Sequence, residues 1–233
     1  MSIITAKGSE AKENAQNTGI DLSKVYLRLK DGESHVVRLL GYEDYVEYTA
    51  VGDFNLGIYN QAISGDSSPL VVAHQKGGED FKGLFKKPRY VFAFASLATG
   101  ELVAWDASRT QAKALINTIE EYAEDINDIA FNFKRTGTKT DTVYSLNPII
   151  RMKAEIKDQF EALDGETVEM EFFESIIKPK DEKFLAKLLK EAGFDVETHL
   201  PHIDLSDAED KAEDADEDVT AVDPDEDVDL SII

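Results

Sequence analysis

Two stretches of this chain interleave flat aromatic rings with cations. In residues 86–96, KKPRYVFAFAS, the cations Lys86, Lys87 and Arg89 lead into Tyr90, Phe92 and Phe94 at alternate positions. In residues 129–144, IAFNFKRTGTKTDTVY, Phe131 and Phe133 run into Lys134, Arg135 and Lys139, and Tyr144 closes the stretch. Cations can follow a line of phosphates while rings stack on bases, each stack contributing about 1–3 kcal/mol. Side chains alternate between faces along a strand. Tyr90, Phe92 and Phe94 therefore share one face, with Val91, Ala93 and Ala95 on the other. Phe131 and Phe133 share a face with Ile129 and Arg135, and Tyr144 shares one with Thr142. The four phenylalanines read as core beneath a helix. Tyr90 and Tyr144, whose hydroxyls tolerate water while their rings still stack, read as contacts. Trp105, the single Trp, is either a stacking platform or a core plug. The segment KGGEDFKGLFKKPR, residues 76–89, sets five cations, Lys82 among them, against two anions. Its glycines mark it as a flexible basic loop.

No catalytic constellation assembles from the rest. His35, His74, His199 and His202 are scattered, and no third ligand lies near the last two. The chain has no cysteine, which removes disulfides, thiolate chemistry and Cys-type zinc sites and fits a reducing, intracellular setting. There is no P-loop, no Gly-x-Gly-x-x-Gly and no Gly-x-Ser-x-Gly. The Gly-Thr-Lys-Thr of 137–140 lacks the leading glycine and sits between strands. The expectation is a binding protein, not an enzyme, with no cofactor and no metal.

The elements that would carry these residues alternate between strands and helices, an α+β pattern. Residues 26–40 read as two strands around the Asp31-Gly32 turn, a pair that supplies positive φ. YEDYVEYTAV continues as strand, and FNLGIYN and PLVVAH read as two more. Strands RYVFAFAS and ELVAWD follow. Ser108 and Gln111 have capping-box spacing, and Ala112, Leu115, Ile116, Ile119, Ala123 and Ile126 recur at helical intervals, predicting a helix over 109–127. Strands IAFNFKR and DTVYSL come next, then a helix begun by Asn147-Pro148 and stopped by Gly165, a strand TVEMEFF, and a helix DEKFLAKLLKEA.

The net charge of −22 is unevenly spread: residues 204–233 hold fourteen Asp/Glu against one Lys. That low-complexity segment lacks the apolar surface to fold and reads as a disordered tail. Residues 1–21 read as a mobile arm. No apolar run approaches the roughly 18 residues of a membrane span, and the N-terminus lacks the apolar region of a signal peptide.

YLRLKDGESHVVRLLG, KKPRYVFAF, FNFKRTGTKTDTVYSL and the acidic tail, in this order, resemble the single-stranded DNA-binding (helix-destabilising) proteins of tailed-phage replisomes. The resemblance covers residues 22–150 and the tail, and its most specific part is Arg135-Thr136-Gly137 with Asp141-Thr142-x-Tyr144. It implies an OB-type β-barrel core over 22–150, including the basic loop 76–89, with a long helix between core strands. A helical and strand extension would occupy 151–203. It implies sequence-independent binding of single-stranded DNA in replication, recombination and repair, in the host cytoplasm if phage-encoded. DNA contacts would then be Lys82, Lys86, Lys87, Arg89, Tyr90, Trp105, Lys134, Arg135, Lys139 and Tyr144. The tail would recruit replisome and recombination proteins through Asp225, Glu226, Asp227, Asp229, Leu230, Ile232 and Ile233, and would compete with DNA for the basic groove. The chain departs from that pattern in three places. It has no cysteine for the zinc subdomain of the best-known members, so the metal-free segment 54–85 would replace it. Its arm holds only Lys7 and Lys12, and its end is Ile-Ile where bacterial tails of this kind have Pro-Phe. A second reading of another class is an acidic structural or assembly protein, such as a scaffold or virion component.

Overall fold

The computed structural model describes residues 22–205. Its longest strand is β4, Lys86–Ser96. Its alternating side chains fill both faces: Phe92 and Phe94 are buried on one, Val91, Ala93 and Ala95 on the other. After a turn over 97–100, with Gly100 at φ 74°, β5 (Leu102–Ala107) returns antiparallel along one edge. Two strands lie end to end along the other edge. β2 (Tyr45–Asp53) pairs with residues 86–92, and β1 (Ser34–Arg38) pairs with Ala95 and Ser96. The kink between them stays on β4, because the Asp44 carbonyl accepts from the Ala93 amide at 2.9 Å.

That kink turns β1 away from β2. It leaves β1's second edge for β6 (Ala130–Thr136), which pairs in turn with β7 (Val143–Ile149). On the far side β2 pairs with β3 (Ile58–Ala62). The order is β3-β2-β4-β1-β6-β7, with β5 on β4's other edge. The molecule is α+β, a curled antiparallel sheet forming a half-barrel with several helices.

The curl brings β4 and β5 opposite β6 and β7. Phe92, Phe94, Val103, Trp105, Phe131, Phe133 and Leu146 fill the concave side. Helix α3 (Arg109–Glu121) touches β4, β5 and β7 and spans the two halves. It buries Ala112, Leu115 and Ile119 in that core. Both hydrogen bonds of the Ser108/Gln111 capping box are present. The helix ends at Glu121, short of the expected 127, but Ile126 still reaches the core through the turns that follow. The convex side is covered in two places. Helix α4 (Ala154–Glu161) brings Phe160 against Ala95 and Ala130, and helix α5 (Met170–Ile176) brings Phe173 and Ile176 against Val91 and Ala93.

A second lobe stands on the far ends of β2 and β3. Helices α2 (Pro69–Lys76), α6 (Glu182–Glu191) and α7 (Val196–His199) enclose Val51, Ile58, Leu70, Phe81, Leu84, Leu185, Leu189, Phe194 and Leu200. Segment 54–84 and the C-terminal helices thus share one core.

Several local expectations change. PLVVAH is helix α2, not strand: Ser68 and Pro69 open it as N-cap and N1, and its apolar side packs on α6. TVEMEFF is not a strand; its second half is α5, because Phe173 and Ile176 at i, i+3 reach the same convex patch. Asn147-Pro148 starts no helix. β7 runs through both, with Pro148 opposite Phe131, as a proline can on an edge strand. The first half of FNLGIYN is a 3-10 turn that Gly57 ends at φ 68° before β3. The expected strand at 26–29 is a single bridge from Tyr26 to Ala104, directly after the one-turn helix α1 (Leu22–Val25). The glycine-rich loop is packed. A Cβ at Gly77 would lie 2.7 Å from the Ala73 carbonyl, and one at Gly83 would collide with the Asp53 carboxylate. The arm of 1–21 and the acidic segment beyond Leu205 lie outside the described residues.

Leu189→Ala is expected to lose about 2–5 kcal/mol of stability, the usual cost of such a cavity, read as a lower urea midpoint.

Candidate nucleic-acid interface

A chain of ring contacts leads out of the concave core. Phe94 lies 5.4 Å from Phe133, centroid to centroid, and Phe133 lies 5.1 Å from Trp105. Both touch Tyr144, at 5.6 Å and 4.6 Å. Phe94 and Phe133 are fully buried, while Tyr144 is half-buried. Trp105 is only 4% exposed. It is the core plug, because Phe92, Phe133 and Tyr144 enclose its ring.

Arg135 faces Tyr144 across the β6–β7 ladder, its guanidinium 5.9 Å from the ring centre. Its Nη1 donates to the Leu29 carbonyl at 2.9 Å and Nη2 to Thr142 Oγ1 at 3.4 Å. Hydrogen bonds from both nitrogens fix the planar group beside the ring. The hairpin tip is tied down as well: the Gly137 amide donates to Asp31 Oδ1 at 2.8 Å, and the Gly32 amide donates to the Arg135 carbonyl at 3.0 Å. Gly137 has φ 88° and leaves no room for a Cβ against the Asp141 carbonyl. The Arg-Thr-Gly turn and the Asp-Gly turn singled out in the sequence are therefore one assembly. Lys139, exposed, sits on the same tip with φ 55°. Lys134 pairs with Ser145 and Ser34 and points to the opposite face from Arg135.

The β4 cations are placed differently. Arg89 is nearly buried, donating from Nε and Nη2 to Asp106 Oδ1 at 2.8 and 2.6 Å. Tyr48 donates to the other oxygen of that carboxylate. Burial is the largest influence and opposes the Arg89 charge, but Asp106 and Tyr48 together outweigh it and hold the guanidinium above its ordinary value. Burial first, and then the Asp106 charge, push the Tyr48 hydroxyl well above its ordinary range. Arg89 is thus a structural residue of the convex face, its charge met by Asp106, and not the open cation expected from the sequence. Lys86 pairs with Asp66 and Lys82 with Glu79. These pairs are exposed, worth about 0–1 kcal/mol each, so a phosphate can displace their carboxylates. Tyr90 lies at the rim of the concave core and donates its hydroxyl to Glu47, which raises the phenol above its usual range. The Lys87 ammonium lies 5.2 Å over the Phe85 ring.

Sequence reasoning did not single out Phe85 as an exposed ring. It is 51% exposed, directly after the fully buried Leu84. The signal was present in Gly-Leu-Phe-Lys-Lys, where two adjacent apolar residues in extended chain cannot both face inward. Phe54 and Tyr42 are exposed to a similar degree. Among the described residues no group of three or more His, Asp or Glu could hold a metal, and no helix is long and apolar enough to cross a membrane. No known protein-family pattern and no curated protein matches this chain.

Asp106→Asn is expected to cost about 3–5 kcal/mol by stranding a nearly buried guanidinium, measured by denaturant titration. A raised Tyr48 hydroxyl binds its proton more tightly folded than unfolded. Its contribution is complete below the free phenol value of about 10 and is lost as pH rises through the folded value. Tyr48→Phe is therefore expected to flatten the alkaline fall in stability measured between neutral pH and about pH 11.

Proposed function

We propose that this chain binds single-stranded DNA without sequence preference and performs no chemistry on it. The observation that carries this reading is the chain of ring contacts that starts at Phe94 in the core and ends with Phe133 stacked on half-buried Tyr144, with the Arg135 guanidinium held beside it. A base can extend such a stack and its phosphate can meet the cation, the two interactions single strands require. The exposed Lys139 on the same tip, and Lys86 and Lys82 in weak pairs, extend the cationic side.

The half-barrel is read as OB-type. A broken strand line shared between two halves of the sheet, with a helix plugging the interior, suits a partly open barrel of that kind. The resemblance to tailed-phage helix-destabilising proteins supplies the choice of DNA over RNA and the setting in replication, recombination and repair. It also supplies the role of the acidic C-terminal segment, which recruits partner proteins and competes for the groove. That competition is sound physically, since a tethered polyanion is a strand mimic at high effective concentration.

Trp105 touches Tyr144 and should report on the site. Its fluorescence is expected to change on titration with oligo-dT, with affinity falling steeply as salt rises. Tyr144→Leu, which keeps apolar bulk but removes the ring, is expected to weaken binding by about 1–3 kcal/mol with the denaturation midpoint little changed. Absence of binding at low salt, with residues 204–233 removed, would leave the acidic assembly protein as the better reading.

A further inference from the structure

Helix α6 carries a surface that the strand-binding site does not use. Residues 178–190, KPKDEKFLAKLLK, hold five lysines and two acids in a chain of net charge −22. Leu185, Ala186 and Leu189 face the second lobe's core. By helical spacing the opposite face presents Lys183, Phe184 and Lys187, with Glu191 as its one acid. All four are exposed, and Phe184 keeps 41% of its surface open to water with the Lys180 ammonium 5.8 Å from its ring centre. Asp181 is occupied as the helix cap, accepting from the Phe184 amide at 2.8 Å, and Lys190 pairs with Glu197 at 3.9 Å. Neither Lys183 nor Lys187 pairs with a carboxylate among the described residues.

A cation over an exposed ring occurs twice on this lobe, at Lys180–Phe184 and at Lys87–Phe85. The lobe's core ties the two together. Leu84 is buried in the same cluster as Leu185 and Leu189, so the start of β4 and the inner side of α6 are anchored in one body. From Phe85, β4 runs directly toward Tyr90 and the mouth of the half-barrel. The lysines beside both rings suit an anionic occupant, and the open rings offer a flat base a surface to stack on.

We infer that the second lobe is a further single-strand contact, in which Lys183 and Lys187 take phosphates and Phe184 takes a base. A strand leaving the mouth of the half-barrel continues along β4 onto this lobe. The inference rests on the proposed single-strand binding and adds a second segment to its path. The competing occupant is the acidic stretch 206–233 of the same chain, which matches the lysines in charge but offers no ring to Phe184.

The test uses the full chain and its Lys183→Ala/Lys187→Ala variant, in which alanine preserves an exposed helix. Affinity is measured over a salt series for an oligo-dT of about 8 nucleotides, within the site of one OB fold, and for one of about 30. Loss of two phosphate contacts is expected to make the salt slope for the long oligonucleotide shallower by about 1.4 and its affinity at 0.1 M salt roughly twentyfold lower, with the short one unaffected. Phe184→Ala should weaken only the long one. Unchanged affinity, or an equal loss for both lengths, overturns the inference. Tighter binding by the variant also overturns it and assigns the lysines to the acidic segment. Failure of the unaltered chain to bind either length would instead refute single-strand binding itself, and the second contact with it.

Discussion

Everything in this molecule hangs on β4 being paired along both edges and buried on both faces. Eleven residues make one strand that reaches from the second lobe to the far end of the half-barrel. β5 takes one edge; β2 and β1 divide the other. Because β1 and β2 are two strands on one line, the chain can kink between them and send β1 off to gather β6 and β7. Without that division the sheet would stay open and the Phe94, Phe133, Trp105 and Tyr144 rings would not meet. The concave core is therefore a consequence of how the neighbours share β4's hydrogen bonds.

The second lobe shows how a short segment obtains a core. Residues 54–84 are too few to enclose a core of their own, and the chain has no cysteine to staple them. A segment of that size needs an added constraint to fold. Here it comes from the other end of the chain: α6 and α7 contribute Leu185, Leu189, Phe194 and Leu200. The close packing of Gly77 on Phe81 and of Gly83 on Asp53 belongs to the same economy of space. What reads as a loose glycine loop is a place of close approach between elements.

The cations sort into two kinds by what stands opposite them. Arg89 is held by a nearly buried carboxylate and takes part in folding. Arg135 donates to a carbonyl and a hydroxyl, which position it at the half-barrel's mouth. The difference matters because a guanidinium neutralised by Asp106 has little left to offer a phosphate, while that of Arg135 is oriented beside the ring of Tyr144.

Local chemistry was legible along the chain. The capping box of α3, the Asp31-Gly32 turn, the hairpins around Gly100 and Gly137 and the shared face of Tyr90, Phe92 and Phe94 all follow from residue type and period, which act over a few positions. Where the local signal was ambiguous it misled: valines suggested a strand at 69–74, although Ser68-Pro69 opens a helix. Tertiary structure alone decided that Trp105 is core, that Phe85 is exposed and that α6 closes a lobe begun at β2. It also decided the partners of the charges. Arg89 meets Asp106 at 17 residues' separation, Lys86 meets Asp66 at 20, and Tyr90 meets Glu47 at 43. Electrostatic attraction depends on distance through space, and that distance is set only once the sheet has curled.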